Sequence, residues 1–306
     1  MKVLLSFVLW CFHILPGWLA RLLGRAVGLV LSVVGFKKDI IANQLSVSFG
    51  NEQTEEWLKS TQRQIYRHLG LLAVELLRLP CKSPEVIKKE VAIEGLEYLD
   101  QALAKEKGVL LLSGHIGNWE QVGAGLVTRG YTMNAVGKEM KSEAGEYIKY
   151  RLRDENGVIS IPRRNSMKRI IQALRRNEIV VMMVDQNMTD DEGIFVDFFG
   201  QPACSTTSVG IIAERTGAVV VPACGYRSDD ERTFRLVFQP ALPVQTGSEN
   251  RAEDLKVNTQ VFTRCIEEMI RRNPSQWMWI HKRWKTRAPG LNESPFLYHP
   301  SIQSAG

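Results

Sequence analysis

The sequence predicts an α/β fold: a mostly parallel sheet flanked by helices, preceded by an apolar N-terminal anchor helix. Two patterns in the 306 residues carry this expectation. Beyond Ile93, short apolar runs alternate with longer amphipathic stretches, and strands that alternate with helices form parallel sheets. Ahead of Lys37 the chain is almost continuously apolar, at a length near that of a membrane helix.

The apolar run over residues 3–20 is interrupted only by Ser6, His13 and Pro16, and Pro16 should end or kink a helix near Leu15. A second run, 26–36, follows Arg21 and Arg25. A cleaved signal peptide would want a small residue two positions before Ala20, where Trp18 stands instead. Residues 1–38 are therefore read as an uncleaved anchor that spans the membrane or dips into one leaflet. A buried hairpin of a soluble protein is the plainer alternative. Trp10 and Trp18 suit a headgroup interface. Arg21, Arg25, Lys37 and Lys38 follow the run while only Lys2 precedes it, which places the main body on the cytoplasmic face.

Residues 39–287 carry no internal repeat and no low-complexity linker, so they are read as one domain, with 288–306, rich in Pro, Ser and Gly, as a flexible tail. Thr54 should cap a helix whose stripe Ile65, Leu69, Leu72 and Leu76 ends before Pro80. Strands are expected at 109–113, 131–136, 179–185, 219–224 and 234–238. Helices are expected at 96–105, 119–129, 142–155, 166–176, 206–216 and 252–271.

Composition excludes little but directs the search. Lys and Arg outnumber Asp and Glu 39 to 33, which favours an anionic partner: phosphate-bearing lipid, an acidic carrier protein or nucleic acid. The five cysteines are scattered without a Cys-x-x-Cys pair, so neither a zinc ribbon nor a disulfide framework is indicated, and a reducing compartment suits them.

The sharpest local feature runs Val109-Leu110-Leu111-Leu112-Ser113-Gly114-His115-Ile116-Gly117-Asn118-Trp119-Glu120. A buried strand enters a glycine-flanked turn that carries a histidine. Asn118 then reads as an N-cap, with Gln121 completing a capping box. On a single helix, residues five apart diverge by about 140°, so His115 and Glu120 meet only if the chain turns at Gly117. Glu120 would then take the Nδ1 proton and leave Nε2 as a base able to deprotonate an alcohol. On spacing alone, a satisfied histidine in a capped turn reads equally well. A Ser113-His-Glu hydrolase lacks the Gly-x-Ser-x-Gly elbow, and a zinc site lacks His-Glu-x-x-His.

The segment Gly114–Glu120 resembles the His-x4-acid motif of the glycerolipid and lysophospholipid acyltransferase superfamily. More narrowly it resembles the late acyltransferases of bacterial lipid A biosynthesis. The likeness continues through Arg164, the Ala173-Leu174-Arg175-Arg176 helix, Asp185-Gln186-Asn187, Phe195-Val196-Asp197-Phe198-Phe199-Gly200-Gln201-Pro202-Ala203 with Thr206-Thr207, and Arg215-Thr216-Gly217-Ala218. It ends with Gln276-Trp277-Met278-Trp279-Ile280-His281-Lys282-Arg283-Trp284 and reaches Arg287. The resemblance implies a glycerolipid acyltransferase-like sheet, His115 as general base and Glu120 as its orienting acid. It implies substrate contacts by Arg164 (Arg163 being the rival by spacing) and by Asp185, with Asn118 a further candidate. It also implies acyl carrier protein, less readily coenzyme A, as donor and a lipid A precursor as acceptor, at the bacterial inner membrane.

Neither a metal nor an organic cofactor is needed for such a transfer. Phe198, Phe199 and Gly200 read as the wall of an acyl channel or as core. The helix with Met167, Ile170, Ile171 and Leu174 on one face and Lys168, Arg169, Arg175 and Arg176 on others suits an anionic membrane or carrier protein, or its own core. The Trp277–Arg287 run, with three tryptophans among basic residues, reads as an interface anchor near lipid phosphates. Single-stranded nucleic acid is the rejected alternative, given the apolar segment at the other end of the chain.

Overall fold

A computed structural model describes residues 2–140, 142–290 and 294–298. Pro16 breaks the apolar segment as expected: α1 (Lys2–Ile14) stops short of it, and α2 (Gly17–Val34) starts on its far side. α3 (Lys38–Phe49) leads to α4 (Glu55–Arg78), which Thr54 caps by accepting a hydrogen bond from the Trp57 amide.

α2 lies lengthwise and antiparallel on α4, because glycines let the backbones touch. A Cβ on Gly28 would stand 2.5 Å from the Tyr66 carbonyl oxygen, and one on Gly70 2.2 Å from that of Gly24. The outward face stays apolar and bare, with Trp18 63% and Val33 80% exposed. α2 is the one helix among the described residues long and apolar enough to cross a membrane.

After α5 (Pro84–Glu90) come β1 (Val91–Glu94), α6 (Leu96–Leu103), β2 (Val109–Ser113), α7 (Trp119–Val127) and β3 (Met133–Gly137). Next are α8 (Glu143–Leu152), β4 (Ile159–Pro162), α9 (Ser166–Arg175) and β5 (Ile179–Met183). A two-stranded hairpin, β6 (Gly193–Phe198) and β7 (Gln201–Thr206), precedes α10 (Ser208–Thr216), β8 (Val219–Arg227), β9 (Phe234–Phe238) and α11 (Arg251–Arg272). Every helix and strand expected beyond residue 93 is present. The sequence reading passed over β1, β4 and the hairpin, whose short runs carry no long apolar signal.

The main sheet is seven-stranded, ordered β1-β9-β8-β2-β5-β3-β4. β8, β2, β5, β3 and β4 are mutually parallel, while β9 runs against β8. β2 is buried along its whole length, which is why it reads as an unbroken apolar run. Its side chains alternate between the faces: Leu110 and Leu112 enter one core cluster, Val109 and Leu111 the other. The parallel strands all end on one rim, where ligands of such sheets collect.

One expectation about surfaces is corrected. Trp277, Trp279 and Trp284 are 1%, 0% and 1% exposed, so this run is core and not an interface anchor. Each ring has partners to fill against: Trp277 packs edge-on to Trp279 at 4.6 Å, and Trp284 stacks on Phe296 at 4.7 Å. Phe198 and Phe199 belong to the same aromatic cluster. Of the segment read as a tail, Phe296 is buried, while residues 291–293 and 299–306 lie outside the described residues.

Candidate active site

β2 and β5 pair in register, Ser113 opposite Met183. Continuing each strand by two residues brings His115 beside Asp185. Asp185 Oδ1 lies 2.8 Å from His115 Nδ1, and Asp185 Oδ2 accepts from the His115 backbone N–H at 2.9 Å. The same Oδ2 accepts from Trp277 Nε1 at 2.8 Å. Gly114 leaves room for this approach, since a Cβ there would stand 3.3 Å from the Asp185 side chain. Gly117, at φ +61°, then turns the chain in a conformation that disfavours side chains, beneath the Gly225 carbonyl.

The Nδ1 partner of His115 is thus Asp185 and not Glu120. Glu120 sits in the first turn of α7 and is turned the other way, gripped by Arg153 at 3.0 Å through Nε and 2.6 Å through Nη2. Sequence reading missed Arg153. Nothing local in the sequence marks it; in the fold it lies against Gly137, where a Cβ would stand 2.7 Å from the guanidinium.

Electrostatics follow this arrangement. Burial works against protonation of His115, but the Asp185 charge and hydrogen bond outweigh it. Glu120 adds to them and Arg153 subtracts, leaving the imidazole above its ordinary range. Burial would push Asp185 upward, yet the charge and hydrogen bond of His115, the Trp277 N–H and the His115 amide hold it down to about 2. Asp185 is an ionised, fully desolvated carboxylate that accepts from three donors. His115 Nε2 makes no hydrogen bond among the described residues.

Glu120 and Arg153 stand at the mouth of a narrow apolar cavity between α7 and the sheet. Ser113, Val136 and Met183 line its strand-end side, and Leu126, Met133 and Val158 its deeper part. Ser113 makes no hydrogen bond to His115, so the structure forms no serine triad here.

The remaining candidates divide. Asn118 is fully buried, caps α7 by accepting from the Gln121 amide at 3.0 Å, and donates to Glu75 at 3.0 Å. Its amide thus holds the helix start, where the sequence reading expected a substrate contact. The Gln121 side chain does not close the box; it bonds Glu90 instead. Arg163 and Arg164 are exposed at the end of β4, three strands from β2 or roughly 14 Å at normal strand spacing. Arg163 pairs with Glu192 at 2.9 Å, and Arg164 has no partner among the described residues. Neither touches His115. Among the described residues no group of His, Cys, Asp and Glu is arranged to hold a metal.

Comparison with known proteins gives the class: the protein is an acyltransferase of lipid A or glycolipid biosynthesis. The chain belongs to the bacterial lipid A biosynthesis acyltransferase family, whose description fits residues 1–286. It is 27% identical to the lipid A biosynthesis palmitoleoyltransferase of Escherichia coli K12, over 92% of this chain and 90% of that one. Identity to the lauroyltransferase of the same organism is 24%, covering 93% and 91%. A phosphatidylinositol mannoside acyltransferase of Mycobacterium tuberculosis is 30% identical over 69% of this chain and 66% of its own.

Proposed function

We propose that the protein transfers a fatty acyl chain from acyl carrier protein to a hydroxyl of a phosphorylated lipid A precursor, with His115 as general base. The observation that carries this reading is the His115–Asp185 pair. A carboxylate on Nδ1 fixes the tautomer in which Nε2 is the free, basic nitrogen. The acceptor O–H gives its proton to Nε2 as oxygen attacks the thioester carbonyl. Collapse of the tetrahedral adduct breaks the C–S bond, and the imidazolium returns the proton to the departing thiolate. Glu120 and Arg153 act as a fixed ion pair beside the reacting centre. Arg153 keeps Nη1 free of partners among the described residues and available to a developing oxyanion. The cavity beneath them takes the acyl chain.

The anchor reading deepens. α2 is bound along α4, a helix carrying Glu55, Lys59, Arg63 and Arg67, so the pair lies at the membrane surface with only the outward face of α2 in lipid. On this reading the rim sits at headgroup depth on the cytoplasmic face of the inner membrane, where acyl thioesters are made. Exposed Arg163, Arg164, Lys168 and Arg169 offer an acidic carrier protein a landing surface at the β4 flank. Another glycolipid acceptor is the second reading, favoured by the 30% identity to the mannoside acyltransferase.

The test is acyl transfer by the purified protein and by His115→Ala. Each receives labelled acyl carrier protein with a lipid A precursor, a phosphatidylinositol mannoside or a lysophospholipid. Transfer to the lipid A precursor that disappears in the folded variant supports the reading. Transfer to another acceptor alone moves the substrate class, and unchanged activity in the variant removes His115 as base.

A further inference from the structure

A second, larger cavity opens on the same rim, on the opposite flank from Arg163 and Arg164. It lies between the start of α2, the C-terminal half of α4, α5 and the β8–β9 turn, with ≈ 1300 Å3 of unfilled space, mouth included. Only the start of α7 separates it from His115. Asn118 and Gln121 there bond Glu75 and Glu90, which line the cavity.

Its charges are unbalanced. The lining carboxylates are already satisfied, and two of them from behind. Glu75 is held by Arg227 at 2.6 Å, and Glu231 by Arg25 and Arg67, each at 2.7 Å; none of these three arginines lines the cavity. Glu90 has Lys82 at 2.5 Å, and Asp230 is occupied by the N–H groups and hydroxyl of its own turn. That leaves Arg21, Arg78, Lys89 and Arg232 facing the space with no carboxylate in salt-bridge contact among the described residues; Glu90 acts on Arg78, and Asp230 on Arg232, only from farther off. Among the described residues, the acceptors of Arg78 are the Phe12 and Leu15 carbonyls, at 3.2 and 2.7 Å.

Two further features favour an anion. Gly17, the first residue of α2, also lines the cavity, and the first turn of this 18-residue helix holds no acidic residue to offset its positive end. Burial lowers the Arg78 guanidinium's affinity for its proton; Glu90 opposes this and neighbouring Arg21 adds to it, with a net shift downward. Arg21 and Arg78 stand close enough to repel, and an anion between them would relieve this.

We propose that this cavity binds the phosphate of a lipid headgroup, through Arg21, Arg78, Lys89, Arg232 and the amino end of α2. The source of the phosphate is a lipid because the mouth adjoins the bare apolar face of α2, where Trp18 and Leu22 are 63% and 53% exposed. The proposal rests on the membrane-surface reading of α1 and α2. Its extension to the acceptor's own phosphate rests also on the proposed reaction.

The test uses the full-length protein in neutral detergent and dioctanoyl phosphatidic acid, with dioctanoylglycerol as the phosphate-free control, read by calorimetry. The phosphatidic acid should bind and the glycerol should not. Lys89→Ala/Arg232→Ala should weaken binding roughly fivefold for each charge removed. Lys105→Ala/Lys107→Ala removes two exposed charges from the opposite end of the sheet and should leave binding intact. No binding by the parent, or an equal loss in both variants, overturns the site. Steady-state transfer then separates the sources. A KM raised only for a phosphorylated acceptor assigns the phosphate to the substrate; an unchanged KM with lost phosphatidic acid binding assigns it to bulk anionic lipid. A protein that transfers to no acceptor fails the functional reading, while the calorimetric result stands on its own.

Discussion

His115 and Asp185 each stand two residues beyond the paired ends of adjacent parallel strands, and their side chains meet at 2.8 Å. Register makes this contact: once Ser113 is set against Met183, the next residues on that side of each strand fall together. A desolvated carboxylate held to about 2 and an imidazole raised above its ordinary range are the electrostatic consequences.

The pair predicts a pH effect of definite sign. His115 must be neutral to accept a proton, and Asp185 raises its affinity for one, so the acidic limb of kcat/KM lies above that of a free histidine. Asp185→Asn removes the charge. The limb should move to lower pH while the plateau falls on the order of 10²–10⁴-fold, because Nδ1 is no longer held as the donor. A pH profile of both proteins measures this; an unmoved limb would separate Asp185 from the base.

Trp277 supports Asp185 from the core. Trp277→Phe keeps most of the ring's packing but deletes the Nε1–H donor at 2.8 Å. The loss of a buried hydrogen bond to a charged group should cost about 1.5–3 kcal/mol in denaturant unfolding. The Asp185 carboxylate should also lose part of its downward shift.

Glu120 and Arg153 form a mostly buried ion pair, 13% and 17% exposed at the side chain. Glu120→Ala strands the guanidinium, and the expected loss of stability is about 2–3 kcal/mol, below that of a fully buried pair. Arg153→Ala should cost a similar amount, and the double variant less than the two together. A thermodynamic cycle by chemical denaturation gives the coupling.

Met133 begins β3 and lines the deeper part of the apolar cavity, four residues, or roughly 13 Å along a strand, from Gly137 at the rim. Met133→Ala should shift the preferred acyl donor to longer chains and Met133→Trp to shorter ones. Competition between labelled donors of different length reads this directly. No change in preference would place the acyl chain elsewhere.

The contact between α2 and α4 admits no side chain at Gly28, where a Cβ would stand 2.5 Å from the Tyr66 carbonyl. Gly28→Val should lower thermal stability by at least the 1–3 kcal/mol typical of overpacking, about the cost of forcing the helices apart. Ala26→Val, on the exposed face of the same helix, should be close to neutral.

Much of the fold was legible in the sequence because burial writes itself as periodicity. β2 is apolar throughout since both its faces are covered, and Pro16 marks the break between α1 and α2 since it cannot continue a helix. His115 stood out for the same kind of reason, as a polar residue in a glycine-flanked turn directly after a buried strand. The Asn118 cap was equally local, three residues from the N–H that donates to it.

What the sequence could not carry was adjacency. Glu120 is five residues from His115 and looked like its partner, yet Asp185, seventy residues away, takes the place because β5 pairs with β2. Arg153 and Trp277 were hidden for that reason too: each acts on a residue to which only the folded chain brings it. Tryptophans among basic residues read as surface when taken alone, and the tertiary structure turned all three inward against Phe198, Phe199 and Phe296. Local steric and hydrogen-bonding rules act over a few residues and are visible in sequence. The pairing of strands and the desolvation of charges act through space, so they were decided only when the sheet closed.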